Sequence, residues 1–367
     1  MILCFGILNS LLLRLFDERV IDLWQLLRRP VGKKGKEDKA VKVSYEMSVP
    51  RSTLKAVFYQ KLNVMATTND VTKAGFGGIV SAIVAYCFWG VMPVYWSLLS
   101  EATNVEILAH RIIWSLVFIL FILIVKRQLG LTIETFKKLL VNPRKYGTVL
   151  IVLATLFASA NWLVNIVGVN TGRVVELGLG TFLTPLATVA IGVVFFHEKL
   201  SRLRLLAIIL AACGVAVLIA GLDRFPWIAV SVSGTWAIYG ALKKKVIIHP
   251  MQSVAIEHAI LFVPATAFLF SSRGIYAAHF LQGLDSGLSY ALMGTGVMTS
   301  IPMILFSLAA QRLPMTVLGI IQYLAPVITL LSGVFIFREG MTTAELIALG
   351  FILSAVVLYI VSGRQKG

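Results

Sequence analysis

Residues 105–125 read VEILAHRIIWSLVFILFILIV, an apolar run whose charged side chains all lie in its first third. A helix of that length, rising about 1.5 Å per residue, extends roughly 30 Å, which is the thickness of a bilayer's hydrocarbon core. Nine other runs of comparable length occur after residue 77. We therefore predict an all-α membrane protein with ten transmembrane helices, at residues 78–98, 105–125, 147–168, 174–196, 204–222, 225–242, 253–270, 288–309, 315–337 and 343–362.

The composition agrees with a membrane protein. Hydrophobic residues make up 58% of the chain and charged residues 14%, whereas soluble domains are about half apolar and a quarter charged. The net charge of +16 would suggest nucleic acid as a partner of a soluble protein. Here the basic residues lie between apolar runs, and no nucleic-acid motif accompanies them. The three cysteines, Cys4, Cys87 and Cys213, form no metal-binding or paired spacing, so we predict neither a metal site nor a disulfide framework.

The distribution of lysine and arginine predicts the orientation. If residue 78 begins at the cytoplasmic side, the inward segments after residue 77 carry fifteen basic residues and the outward segments carry four. Cytoplasmic loops of membrane proteins retain Lys and Arg in this way. We therefore predict a multi-pass protein of the inner or plasma membrane with both termini in the cytoplasm.

The first 77 residues differ from the rest of the chain. They include a basic segment at 28–42 and an amphipathic stretch at 14–29, and Met65 starts a short polar leader into the first span. Two interpretations stay open: Met65 is the natural start, which we prefer, or the preceding residues form an anchor at the membrane surface. The predicted organisation is an extension at 1–77, five-helix units at 78–222 and 223–362, and a tail at 363–367.

An internal repeat supports the two units. Shifting the sequence by 141 residues places 177–219 on 318–360 with thirteen identities in 43 positions. The matched pairs include Pro185 with Pro326 and Glu198 with Glu339. Because each unit contains five spans, an odd number, the second copy is inverted relative to the first. Inverted repeats give a carrier two nearly equivalent packings, one open to each side of the membrane.

The sequence from about Met65 onward resembles the RarD group of the EamA-type drug/metabolite transporters. The resemblance is carried by EILAHRIIWS (106–115), ANWLVNIVGVNTGRVVELGLGTFLTPL (160–186), PLATVAIGVVFFHEKL (185–200) and IPMILFSLAAQRLPMTVLGIIQYLAP (301–326). It implies ten helices in two inverted halves and a permease function. The chain departs from the group's pattern at Thr184, where asparagine normally precedes the proline, and residues 1–64 have no counterpart.

Polar residues inside predicted spans are candidates for a substrate or proton pathway because a charge costs about 2.5–3.5 kcal/mol at the bilayer centre on insertion scales. Glu106, His110 and Arg111 fall in the outer half of the second span. Asn161 and Asn165 share one face of the third span. The alternatives are a buried ion pair for the first group and interhelical hydrogen bonds for the asparagines.

Three further ionisable residues are candidates. Glu176 follows Arg173 at an outer turn, where it either lines a vestibule or pairs with that arginine. Glu257 and His258 occur early in the seventh span, near the cytoplasmic face. A histidine beside a carboxylate suits proton exchange, although an interfacial pair that never reaches a cavity is the alternative.

Aromatic and proline residues complete the candidate set. Gln322 and Tyr323 lie just before a proline that exposes backbone carbonyls, which is one way to build a binding site. Trp89 and Tyr95 could stack on an apolar substrate or belong to an interfacial belt. Three prolines within spans are predicted kinks: Pro185, Pro302 and Pro326.

These features predict a secondary transporter that exports a small metabolite or drug by alternating access. Its expected partners are a small-molecule substrate and the lipid bilayer, with proton coupling as the simplest energy source and a homodimer left open. The sequence contains no P-loop, so we expect no direct use of ATP, and no cofactor is predicted.

A channel or a non-transporting sensor is the alternative function. We do not expect an enzyme, because the near-matches to intramembrane protease motifs are incomplete. HEKLS at 197–201 lacks the second histidine of a zinc motif, and SVSG at 231–234 lacks the first glycine of a serine motif.

Overall fold

The computed structural model describes residues 75–142, 147–220, 225–271, 287–338 and 340–364. The predictions for residues 1–74, including Met65 as the start, and for Glu339 lie outside these ranges. In chain order the helices are α1 (Gly75–Leu99), α2 (Asn104–Val125), α3 (Leu129–Val141), α4 (Thr148–Asn170), α5 (Val174–Phe196), α6 (Arg202–Ile219), α7 (Trp227–Lys245), α8 (Pro250–Phe270), α9 (Gly287–Arg312), α10 (Met315–Gln322), α11 (Leu324–Phe335) and α12 (Thr343–Arg364).

The predicted all-α fold with ten crossings is confirmed. Nine helices in the described ranges are long and apolar enough to cross a membrane, when α10 and α11 are taken as one crossing. The tenth is α7, whose 19 residues extend about 28 Å. It is less apolar than the others because it lies among other helices, with Ile228, Ala229, Ala237 and Tyr239 fully buried.

One helix was not predicted. The predicted spans leave residues 126–146 as a connecting loop, but Leu129–Val141 forms the amphipathic helix α3. Thr132 and Leu139 are buried on one side of this helix. On its exposed side, Glu134 and Lys138, which are one turn apart, form an ion pair with an N–O distance of 2.6 Å. A helix of 13 residues is too short to span the bilayer, so α3 connects α2 to α4 without crossing.

The prolines occur in different settings. Pro185 and Pro302 lie inside the uninterrupted helices α5 and α9. Pro326 follows a break at Tyr323, which separates α10 from α11. Proline lacks an N–H and its ring crowds the carbonyl four residues earlier, here that of Gln322, so the break occurs where the helix is weakest. Bending at the other two prolines stays a prediction.

The repeat is visible in the backbone. His197 after α5 and Arg338 after α11 both have positive φ angles, 52° and 58°, and they are separated by the same 141 residues. Two helices in equivalent positions, α6 and α12, pack against each other. Ala207 and Ala211 of α6 lie in one buried cluster with Ile352 and Ala355 of α12. These small residues therefore allow the two helices to approach closely within one chain.

Candidate functional site

A cavity of about 780 Å³ lies between the two halves of the bundle. Its mouth is at the face that carries residues 100–104 and 169–173, which we call the open face. The loops at the other end, residues 197–201, 246–249 and 312–315, form the closed face. Of the described residues in those loops, none lines the cavity. The cavity therefore enters the bundle from one side only.

Arg111 of α2 is half-buried and lines the cavity. It lies seven residues after the start of α2, about 10 Å along the helix from the open face. Its guanidinium carbon is 5.0 Å from the ring centroid of Trp96 and 5.3 Å from that of Trp162, and its Nε donates a 3.1 Å hydrogen bond to the hydroxyl of Thr299. Stacking on two indole rings and one hydrogen bond fix the guanidinium plane in the cavity wall.

Asparagine side chains form a second part of the wall. Asn161 donates to the carbonyl of Val232 at 2.8 Å and to the hydroxyl of Thr235 at 3.1 Å, which ties α4 to α7. Asn165, one turn further along α4, donates to the carbonyl of Asn161 at 2.8 Å. Both asparagines line the cavity, so the interhelical hydrogen bond and the lining role expected as alternatives occur together.

The inner end of the cavity is aromatic. Trp89 and Trp236 line it with their ring centroids 5.2 Å apart, in an edge-on arrangement. Tyr239 and Phe306 continue the cluster toward the closed face, stacked with centroids 5.6 Å apart. Gln322 lies at the same level and accepts a 2.9 Å hydrogen bond from Thr188 of the other half. Tyr239 and Phe306 are fully buried and are not among the residues that line the cavity.

A buried ion pair lies between this cluster and the closed face. Lys243 of α7 pairs with the carboxylate of Glu257 on α8 and donates to the hydroxyl of Ser253 at 2.6 Å. The same carboxylate accepts from Ser253 at 2.9 Å and from Tyr239 at 3.0 Å. Lys243 is fully buried, and Glu257 is 2% exposed. Every oxygen of this carboxylate is therefore hydrogen-bonded.

This pair corrects two predictions. The predicted span 225–242 leaves Lys243 in an inward loop, but α7 continues to Lys245 and Lys243 is buried within the protein. Glu257 and His258 were placed near the membrane surface, yet α8 starts at Pro250, so they lie two turns inside. Both side chains can be buried because their opposite charges neutralise each other. The two partners are fourteen residues apart in sequence and lie on different helices.

Contacts between the two halves close the far side. Glu198 follows α5 and accepts hydrogen bonds from the backbone N–H groups of Met315 at 2.7 Å and Thr316 at 2.8 Å, at the start of α10. Glu198 of the first repeat therefore caps a helix that belongs to the second repeat. Within the second half, Lys244 donates to the carbonyl of Leu313 at the same face.

Several predicted site residues do not line the cavity. Glu106 and His110 are buried on another side of α2, where His110 accepts a 3.2 Å hydrogen bond from the indole of Trp114. Glu176 pairs with Arg173 at 2.5 Å. Tyr95 donates to the carbonyl of Ala291 at 2.5 Å, and Tyr323 packs in the cluster between α6 and α12. Glu257 and His258 are buried and complete this group.

Six residues of the candidate set do line it: Trp89, Arg111, Asn161, Asn165, Gln322 and Pro326. The lining also includes four aromatic residues outside that set: Tyr86, Trp96, Trp162 and Trp236. In the ranges that the structure describes, no group of three His, Cys, Asp or Glu side chains is placed to hold a metal ion.

Ten crossings in two halves around a one-sided cavity are typical of a membrane transporter. The EamA-like transporter family model matches the chain twice, at residues 76–220 and 226–361, and the chain belongs to this family. It is thus a multi-pass plasma membrane transporter of the drug/metabolite superfamily.

The names of similar proteins are consistent with this family. The chain is 37% identical over 287 residues to Protein RarD of Streptomyces exfoliatus, covering 77% of this chain and 87% of that protein. It is 34% identical over 283 residues to the uncharacterized transporter YojE of Bacillus subtilis, covering 77% and 93%. A protein of Pseudomonas aeruginosa named chloramphenicol-sensitive protein RarD is 24% identical over 77% of this chain and 92% of its own length. A solved crystal structure has the same fold, with a TM-score of 0.60 at 16% identity over 78% of this chain and 98% of that one.

Proposed function

We propose that the protein is a secondary carrier that exports a small metabolite or drug by alternating access, and that the structure is its outward-facing form. The observation that carries the proposal is a large cavity between the repeats that is open at one face and sealed at the other. A carrier binds its substrate in such a cavity and then reopens it on the opposite side.

The charge distribution supports the orientation. The closed face and the helices that reach it carry most of the basic residues in the described ranges, and positive residues are retained on the cytoplasmic side. At the open face only Arg173 and Arg338 are described. The closed-face set is Lys126, Arg127, Lys137, Lys138, Lys199, Arg202, Arg204, Lys243, Lys244, Lys245 and Arg312. We therefore propose that the open face is external and that both termini are cytoplasmic.

The nature of the seal supports a reversible closure. Glu198 of the first repeat connects it to the second by binding the backbone N–H groups of Met315 and Thr316 there. Each such hydrogen bond contributes on the order of 1–3 kcal/mol when one partner is charged, and water can replace it when the interface opens. The inverted repeats provide an equivalent set of elements at the other face, so closure on either side has similar cost.

Proton exchange is the proposed energy source. His258 is 1% exposed, and its Nδ1 lies 2.9 Å from the carbonyl of Val254, while its Nε2 has no hydrogen-bond partner among the described residues. Arg111, Glu257 and Lys243 are the charged groups that act on it. Because Glu257 is held by Lys243, we propose His258 rather than Glu257 as the group that gains and loses the proton.

The test is transport by the purified full chain in liposomes. Chloramphenicol, suggested by the name of the Pseudomonas relative, and a cell extract analysed by mass spectrometry serve as probes. A carrier is expected to give saturable uptake and counterflow, in which unlabelled substrate on one side drives labelled substrate toward it. Flux that rises linearly with concentration and shows no counterflow would contradict the proposal and favour a channel.

Proton coupling is tested separately in the same liposomes. A pH gradient of two units is expected to accelerate accumulation of the transported compound, and His258→Gln is expected to remove that acceleration while counterflow persists. If the gradient has no effect on the unmodified protein, the proton scheme is wrong and transport follows the substrate gradient alone.

A further inference from the structure

The described wall of the cavity contains a single charged side chain, that of Arg111, and its other lining residues are aromatic, apolar, amide or hydroxyl groups. Two carboxylates on neighbouring helices are paired with cations, since Glu257 pairs with Lys243 and Glu176 pairs with Arg173. The buried Glu106 of α2 does not line the cavity. A positive charge in the wall, with no carboxylate among the described lining residues, favours negatively charged ligands.

Arg111 also has unused donors. Its Nε donates a hydrogen bond to Thr299. None of the described carboxylates lies within ion-pair distance of its guanidinium. Its two terminal nitrogens have no hydrogen-bond partner in the described ranges. A guanidinium that is partly withdrawn from water without an anion is costly, and the terminal nitrogens match the two oxygens of a carboxylate. Trp96 and Trp162 hold it in one plane, so little freedom is lost on binding.

The rest of the cavity suits a flat apolar group. Trp89 and Trp236 present ring surfaces at its inner end, and the volume of about 780 Å³ lies within the range of sites for drug-sized molecules. A single arginine balances one negative charge. A dianion such as a phosphate monoester would retain an unbalanced charge in an aromatic cavity.

We infer that the cavity binds small organic monoanions, with a carboxylate held by Arg111 and a planar apolar body against Trp89 and Trp236. Movement of this anion across the membrane rests on the carrier function proposed above, whereas its binding does not. Arg111 is then the residue that selects the charge of the substrate.

The experiment uses three probes of nearly equal shape: 3-phenylpropanoate, 3-phenylpropanamide and 3-phenylpropylamine. Binding to the purified full chain in detergent is measured by equilibrium dialysis with labelled compounds and by quenching of tryptophan fluorescence. Four of the seven tryptophans line the cavity, which makes the signal sensitive to occupancy. The anion is expected to bind at least about tenfold more tightly than the amide and the amine, in accordance with charge-assisted pairing.

Variants of Arg111 assign the effect to this side chain. Arg111→Gln is expected to weaken binding of the anion about 30-fold or more, and Arg111→Lys is expected to fall between that variant and the unmodified protein because it keeps the charge but loses the paired geometry. Arg204→Gln is the matched control, since Arg204 also stacks on an aromatic ring, 5.2 Å from that of Tyr359, away from the cavity. It should change binding less than about twofold.

The outcomes separate the two proposals. Equal or tighter binding of the amine or amide, no binding of the anion at millimolar concentration, or an unchanged affinity in Arg111→Gln would overturn the anion site. The comparison of three probes on the unmodified protein keeps this test valid even if Arg111→Gln fails to fold. Anion binding without counterflow in liposomes would refute the carrier and leave the anion site standing. Counterflow of the amine alone would refute the anion site and leave the carrier standing.

Discussion

Removing the carboxylate of Glu198 should shift the protein away from its outward-facing form. Glu198 accepts two backbone hydrogen bonds at the start of α10, from Met315 and Thr316, and thereby joins the first repeat to the second at the closed face. A hydrogen bond to a charged group contributes about 1.5–3 kcal/mol, and the two are not additive, so Glu198→Ala should lose about 2–4 kcal/mol from the sealed form. The ratio of outward-facing to inward-facing molecules should then fall about 30-fold or more.

The population shift can be measured by access to the cavity. Asn165→Cys, in a chain without its native cysteines, places a thiol in the cavity wall. A membrane-impermeant maleimide applied to the closed face of oriented vesicles should label this thiol slowly in the parent. Labelling should be many times faster in Glu198→Ala and intermediate in Glu198→Gln, which keeps one oxygen acceptor but loses the charge.

A matched control isolates the role of the seal. Glu345 also accepts a hydrogen bond from a backbone N–H at a helix start, that of Thr342 at 2.8 Å, but this bond is exposed and lies within the end of a single helix. Glu345→Ala should leave labelling from the closed face unchanged. Equal labelling rates in Glu198→Ala and the parent would show that the carboxylate does not stabilise the closed face and would refute the reasoning.

Two further predictions concern stability in detergent, measured by thermal unfolding. Lys243→Met should lower the free energy of unfolding by about 3–5 kcal/mol because it leaves the Glu257 carboxylate buried without its cation. Adding Glu257→Gln should restore most of the lost stability. A double variant as unstable as the single one would contradict this. Gly319→Ala should lower the free energy of unfolding by about 1–3 kcal/mol, since a Cβ there would lie 2.7 Å from Val189 and 2.8 Å from a backbone carbonyl in α5. Gly234→Ala is the control and should be neutral or stabilising, because a Cβ there would have no described atom within 4 Å apart from its own stretch of helix. Similar losses in both variants would refute the close-packing argument.

Much of the fold could be predicted because long apolar runs have one stable arrangement in lipid. Ten crossings, their approximate ends and the inverted repeat all follow from length and pattern. The helix α3 was missed although its signal is present: Leu129, Thr132, Phe136 and Leu139 recur at helical spacing within a charged segment. The charged residues between them are equally typical of a loop, so composition alone does not reveal the helix.

The cavity was only partly predictable. Helical spacing places Glu106 and His110 on one face, but Arg111 is turned by about 100° from His110, so the three could not all face one cavity. Which face meets the cavity depends on the neighbouring helices and not on α2 alone. The same limit applies to Lys243, whose burial is decided by Glu257 on another helix. Spacing within one helix cannot reveal such a partner.

The most direct measurement of the central claim is a pair of distances between spin labels in liposomes. One pair joins residues 171 and 338 across the open face, and the other joins residues 199 and 247 across the closed face; all four positions are exposed and each pair spans the two repeats. When a transported substrate is added, alternating access predicts a population in which the distance across the open face shortens while that across the closed face lengthens. Distances that stay fixed, or that lengthen together at both faces, would contradict the account.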